Sequence, residues 1–360
     1  MTSYETSIDR RLESKAEIEL PRLIDVKLNA IDNIATDCQK LLLKDTCSLI
    51  VDNITYEIAG KRVKDNLKAA EIDVHVLEID GATMESVDKA CELYKEVNAK
   101  FSVAVGGGTV IDVAKYSSFK ENIPFVSIPT VASHDGISSA RASIKTVDRS
   151  FTYEARPPML VIGDIETMSK APKRFAISGA CDLLSNKTAV LDWQLAHRIT
   201  GEHVSEYASA LANLTADSMI ESRTEIAQDA ILRTYTVFKG LISSSMAMCI
   251  AGSSRPASGA EHLISHRLDK ILKKPAMHGE QCGLMAVFTM YLHGGDWKEL
   301  KETLEKLGAP STAKKLGVDD EILIEAITTA QEKRPERYTI LSSGVTKTAT
   351  KLGLEITGII

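Results

Sequence analysis

Three glycines at the end of an apolar run are the first feature with chemical content. Ser102-Val103-Ala104-Val105 leads into Gly106-Gly107-Gly108, and Thr109-Val110-Ile111-Asp112 opens a helical pattern. Glycines at that junction remove the Cβ atoms that would hold an anion off the backbone. The free N–H groups of the helix start then point at whatever sits above the turn. A pyrophosphate suits such a turn, so the motif points to a nucleotide or dinucleotide. A tight strand-to-helix connection uses glycine for steric reasons alone, and that alternative stands beside the first. The spacing departs from G-x-G-x-x-G, and two apolar runs, residues 48–51 and 74–77, come earlier in the chain. This is therefore not an ordinary dinucleotide-domain opening, although a related α/β sheet fits.

Histidines form the second constellation. Of eight in the chain, His262, His266 and His278 cluster. His262 and His266 are four apart, which on a helix puts both rings on one face. His278 precedes Gly279, where a missing side chain would let backbones pack closely. Neutral imidazoles bind Zn²⁺ or Fe²⁺, and a carboxylate commonly completes a catalytic site with one open position. The H-E-x-x-H spacing of a metalloprotease is absent. Asp182, in Ser178-Gly179-Ala180-Cys181-Asp182-Leu183-Leu184, is the best carboxylate partner, because an ionised Asp among small and apolar residues is costly to bury unless paired or metal-bound. The alternative is an Asp at a helix N-terminus, favoured by the helix dipole. Residues 128–139 read Ile-Pro-Thr-Val-Ala-Ser-His-Asp-Gly-Ile-Ser-Ser. They are rich in hydroxyls that could hold a ribose or a nicotinamide amide, and Asp135 could accept from substrate hydroxyls.

Those residues need a frame. Short apolar runs at residues 23–26, 48–51, 74–77, 101–105, 125–128 and 159–162 alternate with helical patterns, the signature of a parallel, helix-covered sheet. After about residue 164 the character changes. Ala227, Ile231, Tyr235, Phe238 and Ile242 fall on one helical face, and Leu300, Leu304 and Leu307 repeat the pattern before Gly308, placed to stop a helix. The expected division is an α/β domain over 1–164, with a polar extension at 1–15, and a helical domain over 165–360. A site in the cleft between them is the default expectation.

Composition bounds the function. The chain has 360 residues, 44% hydrophobic and 26% charged, which is globular and large enough for two domains. A net charge of −6 excludes a general nucleic-acid surface but not a small anionic substrate. Six cysteines without a C-x-x-C pair suggest reduced thiols in the cytoplasm. No signal peptide and no membrane span are expected, since the charged start lacks an apolar stretch and no apolar run approaches the length of a span.

Taken together, the Gly-Gly-Gly-Thr-Val-Ile-Asp turn, the Pro-Thr-Val-Ala-Ser-His-Asp-Gly loop, Asp182, the His262/His266 pair and His278 resemble the iron-containing alcohol dehydrogenase and dehydroquinate synthase-like superfamily, in the same order, over about residues 17 to 300. The resemblance implies a nucleotide-binding α/β domain followed by an all-α domain holding one metal, expected to be Zn²⁺. It implies Asp182, His262 and His278 as metal ligands, with His266 facing substrate. Spacing alone leaves open which of His262 and His266 is the ligand. It also implies cofactor contacts from Gly107, Gly108, Thr109, Val110, Ile111 and Asp112, from Thr130, Val131, Ala132, Ser133 and Ser139, and from Asp52 on the adenosine ribose. Asp135 and Asp182 would meet the substrate.

The His-Asp-Gly of the loop narrows the resemblance to the branch that interconverts dihydroxyacetone phosphate and sn-glycerol 1-phosphate with NAD(H) or NADP(H) for archaeal-type ether lipids. His266, or a water it holds, would relay the proton, and Asp135 would orient a hydroxyl. Lys187, Asn186, Arg141 and Arg255 are candidates for the phosphate. A homo-oligomer is expected. Alternatives are a dehydrogenase of unphosphorylated glycerol, a lyase of the dehydroquinate synthase type, and a non-catalytic nucleotide-binding module.

Overall fold

The computed structural model describes residues 18–145 and 150–360, so the expected extension at 1–15 lies outside the described residues. The strands are β1 (Leu23–Lys27), β2 (Thr46–Val51), β3 (Asp73–Glu78), β4 (Phe101–Gly106), β5 (Phe125–Pro129), β6 (Arg141–Lys145), β7 (Ser150–Glu154) and β8 (Leu160–Asp164). Among the described residues, six of them form one sheet in the order β1-β8-β5-β4-β2-β3, with every pair parallel. All six apolar runs expected to be strands are in it. β4, β5 and β8 are buried along their whole length, as continuous apolar strands covered by helices on both faces should be. β4 and β5 are neighbours in register, Gly106 opposite Pro129. The glycine turn and the hydroxyl-rich loop therefore leave the same sheet edge side by side, at the carboxyl ends where open α/β sheets bind ligands.

The remaining two strands pair as an antiparallel hairpin, β6 with β7, which the apolar-run pattern did not suggest. Its signal is present but short: Ala142 and Ile144 are buried while Ser143 and Lys145 are exposed. A two-residue apolar alternation is too weak to separate from loop.

The longer helices are α1 (Ile34–Lys40), α2 (Lys61–Ala69), α3 (Met84–Glu96), α4 (Gly108–Lys120), α5 (Lys173–Thr200), α6 (Glu206–Glu221), α7 (Ala230–Ala251), α8 (Ala260–Ile271), α9 (His278–Leu292), α10 (Trp297–Leu307), α11 (Asp320–Thr329) and α12 (Lys347–Ile356). From Ile165 onward every described regular element is helical. Gly308 ends α10 at φ 77°, and Leu300, Leu304 and Leu307 are its buried face. The face expected through Ala227 and Ile231 is corrected. Asp229 accepts from the Leu232 amide at 2.7 Å and caps a new helix, so Ala227 belongs to the preceding one. The buried face of α7 instead runs through Thr234, Val237, Phe238, Leu241 and Ile242, leaving Ile231 and Tyr235 partly exposed.

One apolar core extends from Val110 and Ile111 on α4 to Phe238 on α7, Leu284 on α9 and Leu354 on α12. A second covers the other sheet face, with Leu49, Val103, Val105 and Ile162. At the junction Gly163 of β8 abuts the Phe238 ring, so closely that a Cβ there would come within 2.2 Å of it. The helical half is thus packed directly onto the sheet that carries the glycine turn.

Candidate active site

The long helix α5 supplies the centre. Its 28 residues, about 42 Å at 1.5 Å per residue, start after Pro172 and end at Gly201 in the left-handed conformation. Asp182 lies well inside it and is buried, so the helix N-terminal alternative for this residue does not hold. α9 crosses α5 at very close range. A Cβ on Gly279 would stand 2.0 Å from the Ser178 carbonyl oxygen, and one on Gly283 2.7 Å from Cys181 Cβ. Two glycines four apart make that approach possible, which is the packing role expected for Gly279. The crossing brings His278, at the start of α9, to Asp182: His278 Nε2 is 3.8 Å from Asp182 Oδ1.

α8 brings the other two histidines. His262 Nε2 lies 3.6 Å from the same Oδ1. His266, one turn on, stacks on His278 with ring centroids 5.8 Å apart, against 6.4 Å to His262. The pair does share one helix face. A fourth donor joins them that the pattern analysis had not singled out. Cys282, four residues after His278 on α9, is buried and puts Sγ 3.6 Å from His278 Nε2. Ligand atoms of Asp182, His262, His278 and Cys282 all lie within 4.8 Å of one another.

Charge and hydrogen bonding suit a cation here. Asp182 Oδ2 accepts from the Asp135 amide at 3.2 Å, but Oδ1 is buried and accepts no hydrogen bond from any described residue. An orphaned carboxylate oxygen facing two imidazoles and a thiol is what a metal site leaves when viewed without its ion. Burial alone would push the Asp182 carboxyl up, yet the neighbouring His262 and His278 hold it below its usual range. Burial would lower His278, whereas Cys282 and Asp182 raise it to about 9. Each proton held in this cluster competes with a cation for the same donor atoms, so loading the site releases protons.

The candidate donors are oriented from behind. Glu261 is fully buried; its Oε1 accepts from His262 Nδ1 at 2.9 Å and the Gly259 amide at 2.6 Å, and its Oε2 from Thr188 Oγ1 at 2.9 Å. This fixes His262 with Nε2 toward the site. Asp192 anchors the base of α8 by accepting from the Ala260 amide at 2.6 Å, and also from the Ile340 amide at 2.6 Å. Ser265 Oγ is 3.1 Å from His278 Nδ1. Replacing Glu261 by Gln puts an amide N–H₂ where one of its donors needs an acceptor. Metal affinity should fall about 10- to 100-fold, measured by titration against a competing chelator; an unchanged affinity would show that Glu261 does not orient His262.

The hydroxyl-rich loop closes the gap between this cluster and the glycine turn. His134 caps a short turn, Asp135–Ile137, by accepting from the Gly136 amide at 3.0 Å. Its ring lies over the glycine turn, and a Cβ on Gly108 would meet His134 Nε2 at 2.2 Å. Burial holds the His134 imidazole below its ordinary value. Asp135 accepts from Ser244 Oγ at 2.9 Å, and its carbonyl accepts from Ser245. Burial, then the nearby Asp182, raises its carboxyl to about 7. Glycine turn, His134, Asp135 and Asp182 thus form one continuous wall.

Other expected contacts are distributed unevenly. Thr109 is exposed at the turn and Gly107 and Gly108 are partly so, whereas Val110 and Ile111 point into the core and their amides donate to the Gly107 carbonyl. The Asp112 carboxylate is engaged by Lys115 Nζ at 3.2 Å and by the Ser143 amide at 2.9 Å, holding the hairpin rather than facing the crevice. Buried Lys115 also donates to the Arg141 carbonyl at 2.6 Å and to the Gly136 carbonyl. Thr130, Ala132, Ser133 and Ser139 are buried, Val131 partly so; the Ser133 carbonyl accepts from Ser178 Oγ at 3.3 Å. Asp52 ends β2 as a helix cap, accepting from Ile54 and Thr55 amides at 3.0 and 2.7 Å.

Of the four phosphate candidates, Arg255 forks onto Glu202, Lys187 pairs with Asp217, and Asn186 donates to Thr215 and Ser244. Arg141 is half-buried at the start of the hairpin.

The profile described as iron-containing alcohol dehydrogenase matches residues 25–172. A protein of Pyrococcus furiosus named glycerol-1-phosphate dehydrogenase [NAD(P)+] is 48% identical over 346 residues, 95% of this chain and 99% of the relative. The chain belongs to the glycerol-1-phosphate dehydrogenase family. A glycerol-1-phosphate dehydrogenase [NAD(P)+] of Methanosarcina acetivorans is 44% identical, over 95% of this chain and 96% of the other. Glycerol dehydrogenase from Schizosaccharomyces pombe shares the fold at TM-score 0.79 and 21% identity, covering 96% of this chain and 91% of that one. Membership in the glycerol-1-phosphate dehydrogenase family accords with the superfamily resemblance carried by the motifs, and it makes the chain an oxidoreductase acting on a CH–OH group.

Proposed function

We propose that this enzyme reversibly reduces dihydroxyacetone phosphate to sn-glycerol 1-phosphate with NADH or NADPH, a step toward archaeal-type ether lipids. The observation that carries the reading is Asp182 Oδ1, buried without a hydrogen bond between His262 and His278, on the wall that continues into the glycine turn. Near-full-length relatives bearing that activity in their names support the substrate assignment over unphosphorylated glycerol and over a lyase. Asp182, His262 and His278 fit a divalent cation, which we take to be Zn²⁺. When bound, that cation supplies Lewis acidity toward a carbonyl oxygen and the nicotinamide supplies the hydride.

This chain's residues would do the rest. Residues 1–164 hold the dinucleotide, with the amides of Gly108 and Thr109 as donors to its pyrophosphate and Asp52 toward the adenosine ribose. Residues 165–360 hold the cation. Asp135 orients a substrate hydroxyl through its carboxylate, itself steadied by Ser244. His266, beside His278, moves the proton, directly or through a water, because imidazole titrates near working pH. Arg141 is the cationic phosphate candidate, since Lys187 and Arg255 are paired with Asp217 and Glu202. The reading includes a homo-oligomer, supported by the partly exposed Leu28, Ile231, Leu232 and Tyr235 on one face. It also includes a cytoplasmic location, supported by six free buried thiols. No helix among the described residues is long and apolar enough to cross a membrane.

The test compares dihydroxyacetone phosphate with dihydroxyacetone as substrate and resolves the product's chirality. A kcat/KM at least about 100-fold higher for the phosphorylated ketone is expected, from loss of charge-assisted contacts worth near 3 kcal/mol. Equal values, or glycerol 3-phosphate as product, would overturn the assignment.

A further inference from the structure

An imidazole fills the space beside Gly108. His134 Nε2 is the ring atom nearest the position a Cβ there would take, at 2.2 Å. Gly136 makes room for the same ring, since a Cβ on it would come 2.7 Å from both Cε1 and Nδ1. Two glycines thus make the seat for one side chain, against the first turn of α4. Gly107 is different. Among the described residues a Cβ there would meet only Val131 Cγ2, at 3.7 Å, so the turn stays open beside the ring.

The partner of Nδ1 decides where the ring carries its proton. The Gly136 amide can only donate, and it donates to Nδ1 at 3.0 Å. A neutral imidazole that accepts at Nδ1 is protonated at Nε2. Burial favours that neutral form, against the pull of Asp112 and Asp182. Nε2 therefore presents an N–H to the turn, and none of the described residues accepts from it. The helix start has the same need. The amides of Val110 and Ile111 donate to the Gly107 carbonyl, whereas those of Gly108 and Thr109 have neither an intrahelical acceptor nor a side-chain cap. The one carboxylate on α4, Asp112, is committed to Lys115 and the Ser143 amide. N–H donors from two segments of the chain border one opening that no acceptor fills.

We propose that the His134 Nε2–H donates to a phosphate oxygen of the dinucleotide, as a further donor beside the Gly108 and Thr109 amides. This rests on the dinucleotide site of the proposed function. A neutral N–H strengthens the hold on the pyrophosphate without adding a charge to the crevice, and it serves NADH and NADPH alike because both carry that group. His134 also links cofactor to substrate. One nitrogen of its ring meets the pyrophosphate while the other holds the turn that begins at Asp135.

The experiment measures dissociation constants of NADH and of ADP-ribose by calorimetry, for the full-length protein and for two variants that separate the ring's nitrogens. In His134→Asn the side-chain oxygen replaces Nδ1 and keeps the Gly136 amide capped as an Asx turn, but nothing reaches the place of Nε2. In His134→Gln the longer side chain carries an N–H₂ toward that place and gives up the cap. Loss of a hydrogen bond to a charged oxygen should weaken both ligands about 10-fold or more in the Asn variant. The Gln variant should bind both more tightly than the Asn variant does. Unchanged dissociation constants in the Asn variant would overturn the proposal, and a raised KM for dihydroxyacetone phosphate beside them would move the donor to the substrate's phosphate. Equal weakening in the two variants would also overturn it and leave His134 as a brace for the loop alone. No binding of either ligand to the unaltered protein would overturn the dinucleotide site and this proposal together. Magnetic resonance of the unaltered protein, carrying isotope-labelled histidine, gives a reading that does not depend on a variant folding. The His134 ring is expected as the Nε2–H tautomer, with that proton shifted downfield by ADP-ribose; the Nδ1–H tautomer, or no shift, would overturn the assignment.

Discussion

Asp182→Ala should yield folded protein that no longer retains metal, with stoichiometry falling from near one ion per chain to near zero. The carboxylate has two jobs. Oδ1 faces both imidazoles, and Oδ2 receives the Asp135 amide at 3.2 Å. Alanine removes the one carboxylate of the cluster and leaves the neutral imidazoles of His262 and His278, too little charge to hold a dication against chelators. Loss of the Lewis acid should cost about 4 kcal/mol or more in the transition state, at least a thousandfold in kcat/KM. The fold should survive, because Ala keeps helix propensity and the deleted group is a buried charge with little apolar contact. Metal analysis and far-ultraviolet circular dichroism on the same sample check this. Full metal occupancy in the variant would exclude Asp182 as a ligand.

A single methyl group at position 279 should be nearly as damaging, by another route. In Gly279→Ala the new Cβ would start 2.0 Å from the Ser178 carbonyl oxygen and 2.7 Å from its carbon. Those atoms are backbone within α5 and cannot rotate away, so α9 must lift from α5. Overpacking of this kind costs about 3 kcal/mol, which lowers Tm by roughly 4 °C for a chain of this size. Because His278 rides on α9, metal affinity should weaken at temperatures where the variant is still folded. Gly81→Ala is the control, since its Cβ would meet only Thr83 Cγ2 at 3.7 Å. Equal melting temperatures for the two variants would show that the helix crossing is not tight.

The parts legible in the sequence were those whose partners lie close along the chain. The six strands of the parallel sheet, the helix under His262 and His266, and the stop at Gly308 all follow from local periodicity and turn chemistry. Gly279 was legible for the same reason, as a gap in an apolar helix. Cys282 had a local signal too, the same four-residue spacing from His278 that links His262 and His266, but a thiol among apolar neighbours reads as core. Lys115 and Asp112 were harder. Their charges are satisfied by backbone groups 21 to 31 positions away, at Gly136, Arg141 and Ser143, which no local pattern displays. Glu261 is similar: only the folded chain brings Thr188, 73 positions away, to its Oε2 and reveals Glu261 as the brace behind His262.

Gly163 resting on Phe238 has a consequence for anyone who treats this enzyme as modular. The larger apolar core runs unbroken past residue 164, so the two portions share it, and only the core on the other sheet face lies within one of them. Transplanting a different dehydrogenase's nucleotide half onto these helices would demand a matching socket for one aromatic ring, and grafts chosen on cofactor motifs alone would expose it to water.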